Sequence, residues 1–338
     1  MNPLDRLMDA ARAAPRRILL SEGQDPRIAE AAVRASREGL AVVSLAGPEA
    51  EVAAALRRAG GAPGDFEIRD PASDSAREAY AEALHALRAK RGMTEEGARE
   101  AIGTPLTFAA IAVRQGDADG TIGGAVHTTA DTVRAALQII GRAEGVRTVS
   151  SFFVMLLDEA RFPGRGPLVF SDAALVVAPT EEELAAIALA SAESFTALVG
   201  ASTGEAPRVA MLSFSTAGSA DHSRAATVRA AAARVRAARP GLAVDGEIQF
   251  DAAFVPEVAE AKLPGGATGG RANVMVFPNL DAGNIGYKIA QRIGGAQAIG
   301  PILQGLARPA NDLSRGCSAE DALAMIAVTV AQANAGGA

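Results

Sequence analysis

Between residues 16 and 90 the chain alternates short apolar runs with stretches of helical periodicity, and this alternation restricts the fold more than any other feature. Residues 16–21 (RRILLS) read as a strand. Asp25 then offers an N-cap for a helix over 26–39, 41–46 is a second strand, 48–59 a helix, 66–70 a third strand and 74–90 a helix. Parallel neighbours need a crossover long enough to bring the chain back to the same end, so such a series specifies a parallel sheet covered by helices. A helix over 2–14 is expected before the first strand. Two more, over 94–102 and 105–115, precede a strand end at 120–124.

The pattern changes after Thr148. Apolar runs at 149–157, 168–171 and 174–177 follow one another with turn residues and no helix between them, so they are expected to pair as antiparallel strands. Thr180 with Glu183 has the spacing of a capping box and opens a helix to about 198. Strands are expected at 209–214, 242–247 and 273–277, the first and last leading into the turns STAGSA (215–220) and PNLDAGN (278–284). At 338 residues the chain exceeds what one core usually organises. Two α/β domains are expected, one of residues 1–146 and 298–338 with a returning C-terminal helix, the other of residues 147–297.

Composition excludes several classes of function. The formal net charge of −6, with no Lys/Arg block, argues against a nucleic-acid partner, so an anionic ligand has to be held locally. One cysteine, Cys317, supports neither an internal disulfide nor a multi-cysteine metal site, and the three histidines His85, His127 and His222 form no metal-binding pair. No metal is expected. With no leader pattern and no continuous apolar run of about 18 residues, a cytoplasmic protein without a membrane partner is expected. Neither a G-x-G-x-x-G turn after a strand nor a P-loop occurs, so no nucleotide cofactor is signalled.

The chemistry-bearing residues concentrate in GPILQGLARPANDLSRGCSAED (300–321). Ser318 and Asp321 have capping-box spacing before the last helix, and with Ser314 and Arg315 they place two hydroxyls, a guanidinium and a carboxylate within eight residues. A planar guanidinium matches phosphate oxygens in a way that a lysine cannot. A second cluster, GAVHTTADTVRAALQII (124–140), sets His127 and Thr128 at a strand-to-helix turn, with Arg134 on the helix that follows. Ligands of open α/β sheets sit against such turns.

The runs MLSFSTAGSADH, DGEIQFDAAF, VFPNLDAGNIGYKIAQRIGG and GPILQGLARPANDLSRGCSAED, with GAVHTTADTVRAALQII upstream, resemble the phosphate acetyl/butyryl transferase family in matching order over almost the whole chain. The resemblance implies a fold of two α/β domains with a cleft between them, like that of the isocitrate and isopropylmalate dehydrogenases. It implies reversible acetyl transfer between CoA and phosphate, with acetyl-CoA, CoA, phosphate and acetyl phosphate as partners, CoA being a substrate rather than a cofactor, and a homodimer. Carried over residue by residue, Asp321 takes the CoA thiol proton, Ser314 bonds the reacting acyl centre and Arg315 holds the phosphoryl group. Arg134 and, less directly because Arg91 is near, Arg88 become substrate-binding arginines. His127, Thr128, Ser215, Thr216, Ser219, Asn284 and Tyr287 complete the expected substrate-binding set. Two departures stand out: Ala135 replaces a proline common after the cleft arginine, and no cysteine stands near Ala160.

Each of these residues also has an ordinary role. Asp321 is on pattern alone the acidic member of a helix cap, Arg315 a surface arginine, His127 a structural histidine, and the STAGS hydroxyls a helix-opening turn. Passing a thiol proton, pKa about 8.5, to an ordinary aspartate, pKa about 3.9, is uphill by roughly 6 kcal/mol, so a base at Asp321 needs either burial or proton transfer concerted with attack. Two alternatives to acetyl transfer remain: transfer of a longer acyl group such as butyryl, and a non-catalytic acyl-CoA-sensing domain.

Overall fold

The computed structural model describes residues 3–336 and divides into two compact units, residues 3–144 with 306–336, and residues 145–305. The start expected for the first helix, Asn2, lies outside the described residues. The strands are β1 Arg17–Leu20, β2 Val42–Ala46, β3 Glu67–Arg69, β4 Gly120–Gly123, β5 Ser150–Leu156, β6 Leu168–Ser171, β7 Arg208–Leu212, β8 Ala243–Ile248, β9 Val274–Val276, β10 Gln297–Gln304 and β11 Ala310–Asp312.

In the first unit the strands form one parallel sheet, in the order β11-β4-β1-β2-β3. The register sets Leu20 opposite Ile122 and Gly123 opposite Asp312. The turns that follow β1, β4 and β11 therefore leave the sheet along one edge, and the chemistry described below is built there. The helix Pro26–Arg37 starts as expected, with Asp25 accepting from the Arg27 N–H at 2.9 Å. The last helix, Ala319–Asn334, is apolar on most sides because it is enclosed. It packs on the helices Pro3–Ala13 and Pro26–Arg37 and on β4. Buried Asn311 ties β11 to this helix, donating to Thr329 Oγ1 at 2.9 Å and Gln332 Oε1 at 2.7 Å.

The second unit holds a mixed sheet, β10-β5-β6-β9-β7-β8, in which β5 is antiparallel to both neighbours while β6, β9, β7 and β8 run parallel. Residues 298–305, expected in the first domain, belong here instead. An apolar strand is claimed by whichever edge offers hydrogen bonds, and β10 pairs with β5 along Gln297–Gln304. A second expectation also needs correction, since 174–177 is not a strand. The buried Asp172 carboxylate accepts from the backbone N–H groups of Ala174, Leu175 and Val176, winding the segment into a turn before any ladder can form. The segment Glu181–Gly200 has the length and apolarity of a membrane span, but its Leu184, Ile187, Ala188, Ala192 and Phe195 are buried against the sheet of this unit. The capping box of Thr180 and Glu183 opens it.

At the end of β10, Gln304 is almost wholly buried and has hydrogen bonds on both sides of its amide. Its Nε2 donates to Ser150 Oγ at 2.8 Å and Ser191 Oγ at 3.0 Å, while Oε1 accepts from Ser194 Oγ at 2.8 Å. Replacing it by leucine keeps the volume but strands those hydroxyls in an apolar setting. Gln304→Leu should lower the unfolding free energy by about 2–4 kcal/mol in urea titrations.

Candidate active site

The site grows from the aligned strand ends of the first unit. Directly after β1, Glu22 is turned inward and is 1% exposed. Its Oε2 accepts from the Ala125 N–H at 2.7 Å, and its Oε1 from the N–H groups of Val126 at 3.0 Å and His127 at 2.8 Å. The His127 Nδ1 lies 2.7 Å from the same Oε1. One carboxylate thus fastens the whole turn between β4 and the helix Thr129–Ala135.

Arg27 joins this turn to the loop after β11. It is paired with Asp25 at 2.8 Å, and its Nη2 donates to the Ala125 carbonyl at 2.8 Å while Nη1 donates to the carbonyls of Arg315 at 2.7 Å and Cys317 at 3.1 Å. The hydrogen bond to Asp25 raises the Arg27 pKa further. Cys317 is buried beneath, and burial pushes its thiol pKa up against the pull of Arg27. Neither Glu22 nor Arg27 figures in the sequence-based set. The only local signal is an acidic and basic run, EGQDPR, directly behind an apolar strand.

In the loop 313–321, Ser314 and Arg315 are exposed. Ser314 Oγ accepts from the Gly316 N–H at 3.2 Å, and its carbonyl accepts from the Cys317 N–H at 2.8 Å, a tight turn that presents both side chains outward. Among the described residues the Arg315 guanidinium has no acidic partner. Asp321 closes the expected capping box: its Oδ2 accepts from the Ser318 N–H and Oγ, both at 2.9 Å, and its own N–H donates to Ser318 Oγ at 3.1 Å. Its Oδ1 takes no bond among the described residues. Cap and base are therefore compatible, one oxygen for each.

A cavity of about 280 Å³ has Arg88, His127, Asp131 and Arg134 in its lining. The buried Nε of Arg88 has no partner there. Arg134 is exposed and pairs with Asp131 at 2.7 Å. Thr128, expected to bind substrate, is exposed. It is the N-cap of the following helix, donating to Asp131 Oδ2 at 2.7 Å and accepting from the Asp131 N–H, and these bonds, with Arg134, hold the Asp131 pKa low.

The remaining expected residues lie in the second unit, and most have internal partners. Ser215 is fully buried and donates to the buried carboxylate of Glu247, which also pairs with Arg229 at 2.6 Å. Ser219 Oγ accepts from the Thr216 N–H at 3.0 Å, and Thr216 Oγ1 from the Gln249 N–H at 3.0 Å. Ser215 and Thr216 thus hold the turn together, because a buried Glu247 and a turn ahead of a helix both require donors. Asn284 donates to the Ala173 carbonyl at 3.1 Å, and Tyr287 stacks on Phe153 with ring centroids 4.0 Å apart. The carboxyl ends of β7 and β9 carry an apolar cavity of about 510 Å³, with Phe214, Phe250 and Phe277 in its walls and Arg224 and Asn279 as polar groups.

A strand-end loop carrying Ser, Arg and a carboxylate oxygen without a bond among the described residues suits transfer chemistry on an anionic substrate, and the comparisons with known proteins agree. The model of the phosphate acetyl/butaryl transferase family matches residues 3–330, and the chain belongs to that family. It is 53% identical over 333 residues to a phosphate acetyltransferase of Paracoccus denitrificans, covering 98% of this chain and 99% of the relative. A phosphotransacetylase structure from Streptococcus pyogenes superposes with a TM-score of 0.90 at 42% identity, covering 97% of this chain and 98% of that one. A 4-hydroxythreonine-4-phosphate dehydrogenase from Burkholderia phymatum, at TM-score 0.53 and 13% identity, covers 94% of this chain and 98% of its own and shares the fold, which bears out the expected dehydrogenase-like α/β class.

Behind the loop, Asp312 ends β11 fully buried. Its Oδ2 accepts from Thr129 Oγ1 at 2.6 Å, but its Oδ1 has no partner. A Cβ on Gly124, whose φ is +96°, would meet that oxygen at 2.2 Å, so only glycine lets the β4 turn pass. Burial raises the Asp312 pKa from 3.8 to about 6, with Glu22 adding to the rise. The folded state therefore keeps a proton that the unfolded chain releases, and stability falls as pH rises from about 4 to 6, by roughly 3 kcal/mol in all. Asp312→Asn should remove this slope, so its melting temperature gains on the wild type as pH rises and the gain levels off above pH 7, as calorimetry across pH 4–8 would show.

Proposed function

We infer that the chain is a phosphate acetyltransferase, interconverting acetyl-CoA plus phosphate with acetyl phosphate plus CoA. The observation that carries this is the segment 313–321, on which an exposed Ser314, an Arg315 without an acidic partner among the described residues and an Asp321 Oδ1 without a bond among them stand together, in a chain that is 53% identical to a phosphate acetyltransferase along nearly its full length.

In the direction of acetyl-CoA synthesis, the CoA thiol gives its proton to Asp321 Oδ1 as sulfur attacks the acetyl carbonyl carbon of acetyl phosphate. The carbonyl electrons move to oxygen, where the Ser314 hydroxyl donates a hydrogen bond, and return as the carbon–oxygen bond to phosphate breaks. Arg315 holds the departing phosphate with its fork of N–H groups and offsets the charge that phosphate takes. Concerted transfer lets a carboxylate act as base without bearing the full mismatch with the thiol. No acyl-serine is required: His127 Nδ1 is engaged by Glu22, and no histidine bonds Ser314 among the described residues. Arg88, Arg134 and His127 bind the anionic part of CoA. No cofactor or metal takes part, CoA being a substrate, and the protein acts in the cytoplasm.

The protein works as a homodimer, supported by an exposed apolar stripe of Ile285, Ile289 and Ile293 on the helix Leu280–Arg292 and the residue after it. Light scattering should return twice the 34.3 kDa chain mass; a monomer at working concentration removes this assignment.

Asp321→Asn tests the base. An amide oxygen still accepts from Ser318, so the cap survives and the melting temperature should stay within about 3 °C. An amide takes no proton, so turnover at pH 7 should fall by about 10² to 10⁴ and recover partly as pH approaches the thiol pKa. Ordinary turnover in a folded Asp321→Asn enzyme would leave Asp321 a cap and nothing more.

A further inference from the structure

The sheet of the second unit gathers arginines at the edge where β6, β7 and β9 begin. Register sets Val169 and Val209 on either side of Val274, and Asn273 ties the three starts together. Its carbonyl accepts from the Val169 N–H at 2.8 Å, its N–H donates to the Arg208 carbonyl at 3.0 Å, and its Oδ1 accepts from the Arg208 N–H at 2.7 Å. Two guanidiniums grip the chain just before it. Arg208 Nε donates to the Arg271 carbonyl at 2.6 Å, and Arg165 Nη2 donates to the Gly270 carbonyl at 3.1 Å and to the Phe254 carbonyl. The Arg165 guanidinium lies 4.3 Å from the centre of the Phe254 ring.

Holding these carbonyls explains part of the cluster and leaves the rest unused. Arg165 Nε and Nη1 have no acceptor among the described residues, and the exposed side chain of Arg271 bonds nothing among them. The one carboxylate paired with any of the three arginines there is Glu205, 3.3 Å from Arg208 Nη2. Burial lowers the Arg165 pKa, and the charges of Arg271 and Arg208 lower it further, so like charges have been brought together without matching counter-charge. A purely structural grip on two carbonyls does not require Arg271 at all.

We propose that Arg165, Arg208 and Arg271 form a binding site for a phosphate group, either inorganic phosphate or a phosphate monoester, in addition to the loop 313–321. Three guanidiniums against one carboxylate leave an excess of two positive charges. A phosphate group carries about −1.5 to −2 near pH 7 and offsets that excess, whereas a carboxylate offsets only half of it. The guanidinium fork also matches phosphate oxygens two at a time, and Arg165 is held by a single nitrogen, which leaves the others of its fork to a ligand. The site stands on the second unit alone and is independent of the acetyl-transfer assignment.

Hydrogen exchange read by mass spectrometry on the intact protein tests it. Inorganic phosphate and glycerol 3-phosphate are the two probes, with chloride and acetate at matched ionic strength as controls. At least one phosphate probe should slow exchange in segments 157–167 and 264–272, and the controls should not. The tighter of the two probes identifies the source, free phosphate or monoester. Arg271→Gln loses no internal bond and should fold as wild type, while its half-saturating concentration for the phosphate probe rises about tenfold, as loss of one charge-assisted contact implies. Arg315→Gln should keep the wild-type protection of both segments. Protection by neither probe overturns the proposal. So does equal protection by chloride or acetate, a wild-type half-saturation in Arg271→Gln, or protection that vanishes in Arg315→Gln. Turnover bears on the other level: an Arg315→Gln protein with ordinary acetyl transfer overturns the role given to Arg315 and leaves this site standing.

Discussion

A parallel sheet with its strand ends in register is the constraint from which the site follows. Because β1, β4 and β11 finish side by side, the turns leaving them have to share space, and their backbone N–H groups need acceptors. Glu22 supplies that acceptor for the β4 turn, Arg27 supplies the donor that ties this turn to the β11 loop, and Asp312 fills the gap that Gly124 leaves. Remove the registered strand ends and none of these long-range bonds can form. The exposed Ser314 and Arg315 owe their position to the partly buried Arg27 and the buried groups beneath the loop.

The parts of this arrangement that were legible in the sequence are local ones. Both capping boxes, Thr180 with Glu183 and Ser318 with Asp321, formed as their spacing required, because each is decided within four residues. The strand-helix alternation of the first ninety residues likewise carried its own instructions. Partner choice over distance did not. The run containing Ile299 and Leu303 is equally apolar whether it joins one sheet or the other, and only the open edge of β5 decides. The bond from Arg27 to the Arg315 carbonyl spans 288 residues, so nothing near Arg27 announces it. In the same way Ser215 advertises a hydroxyl but not the buried Glu247 that takes it.

The cap at Asp321 leaves room for the base proposed there. A carboxylate has two oxygens with separate lone pairs, and a helix N-terminus needs only one of them. The N–H and hydroxyl of Ser318 fix Oδ2, and in doing so they fix the direction of Oδ1. Rotational freedom that a base would otherwise lose on meeting its substrate is already gone. The helix that sets this direction is itself enclosed by the rest of its unit, so the precision at the loop is inherited from the core.

The burial of Cys317 takes on another meaning beside this chemistry. Acetyl phosphate and acetyl-CoA acylate thiols, and the protein's single cysteine lies two residues from Arg315. Burial raises the pKa of that thiol and so favours its unreactive, protonated form, and little of the residue reaches solvent. A thiol-seeking compound thus works next to a thiol that the fold disfavours as a nucleophile.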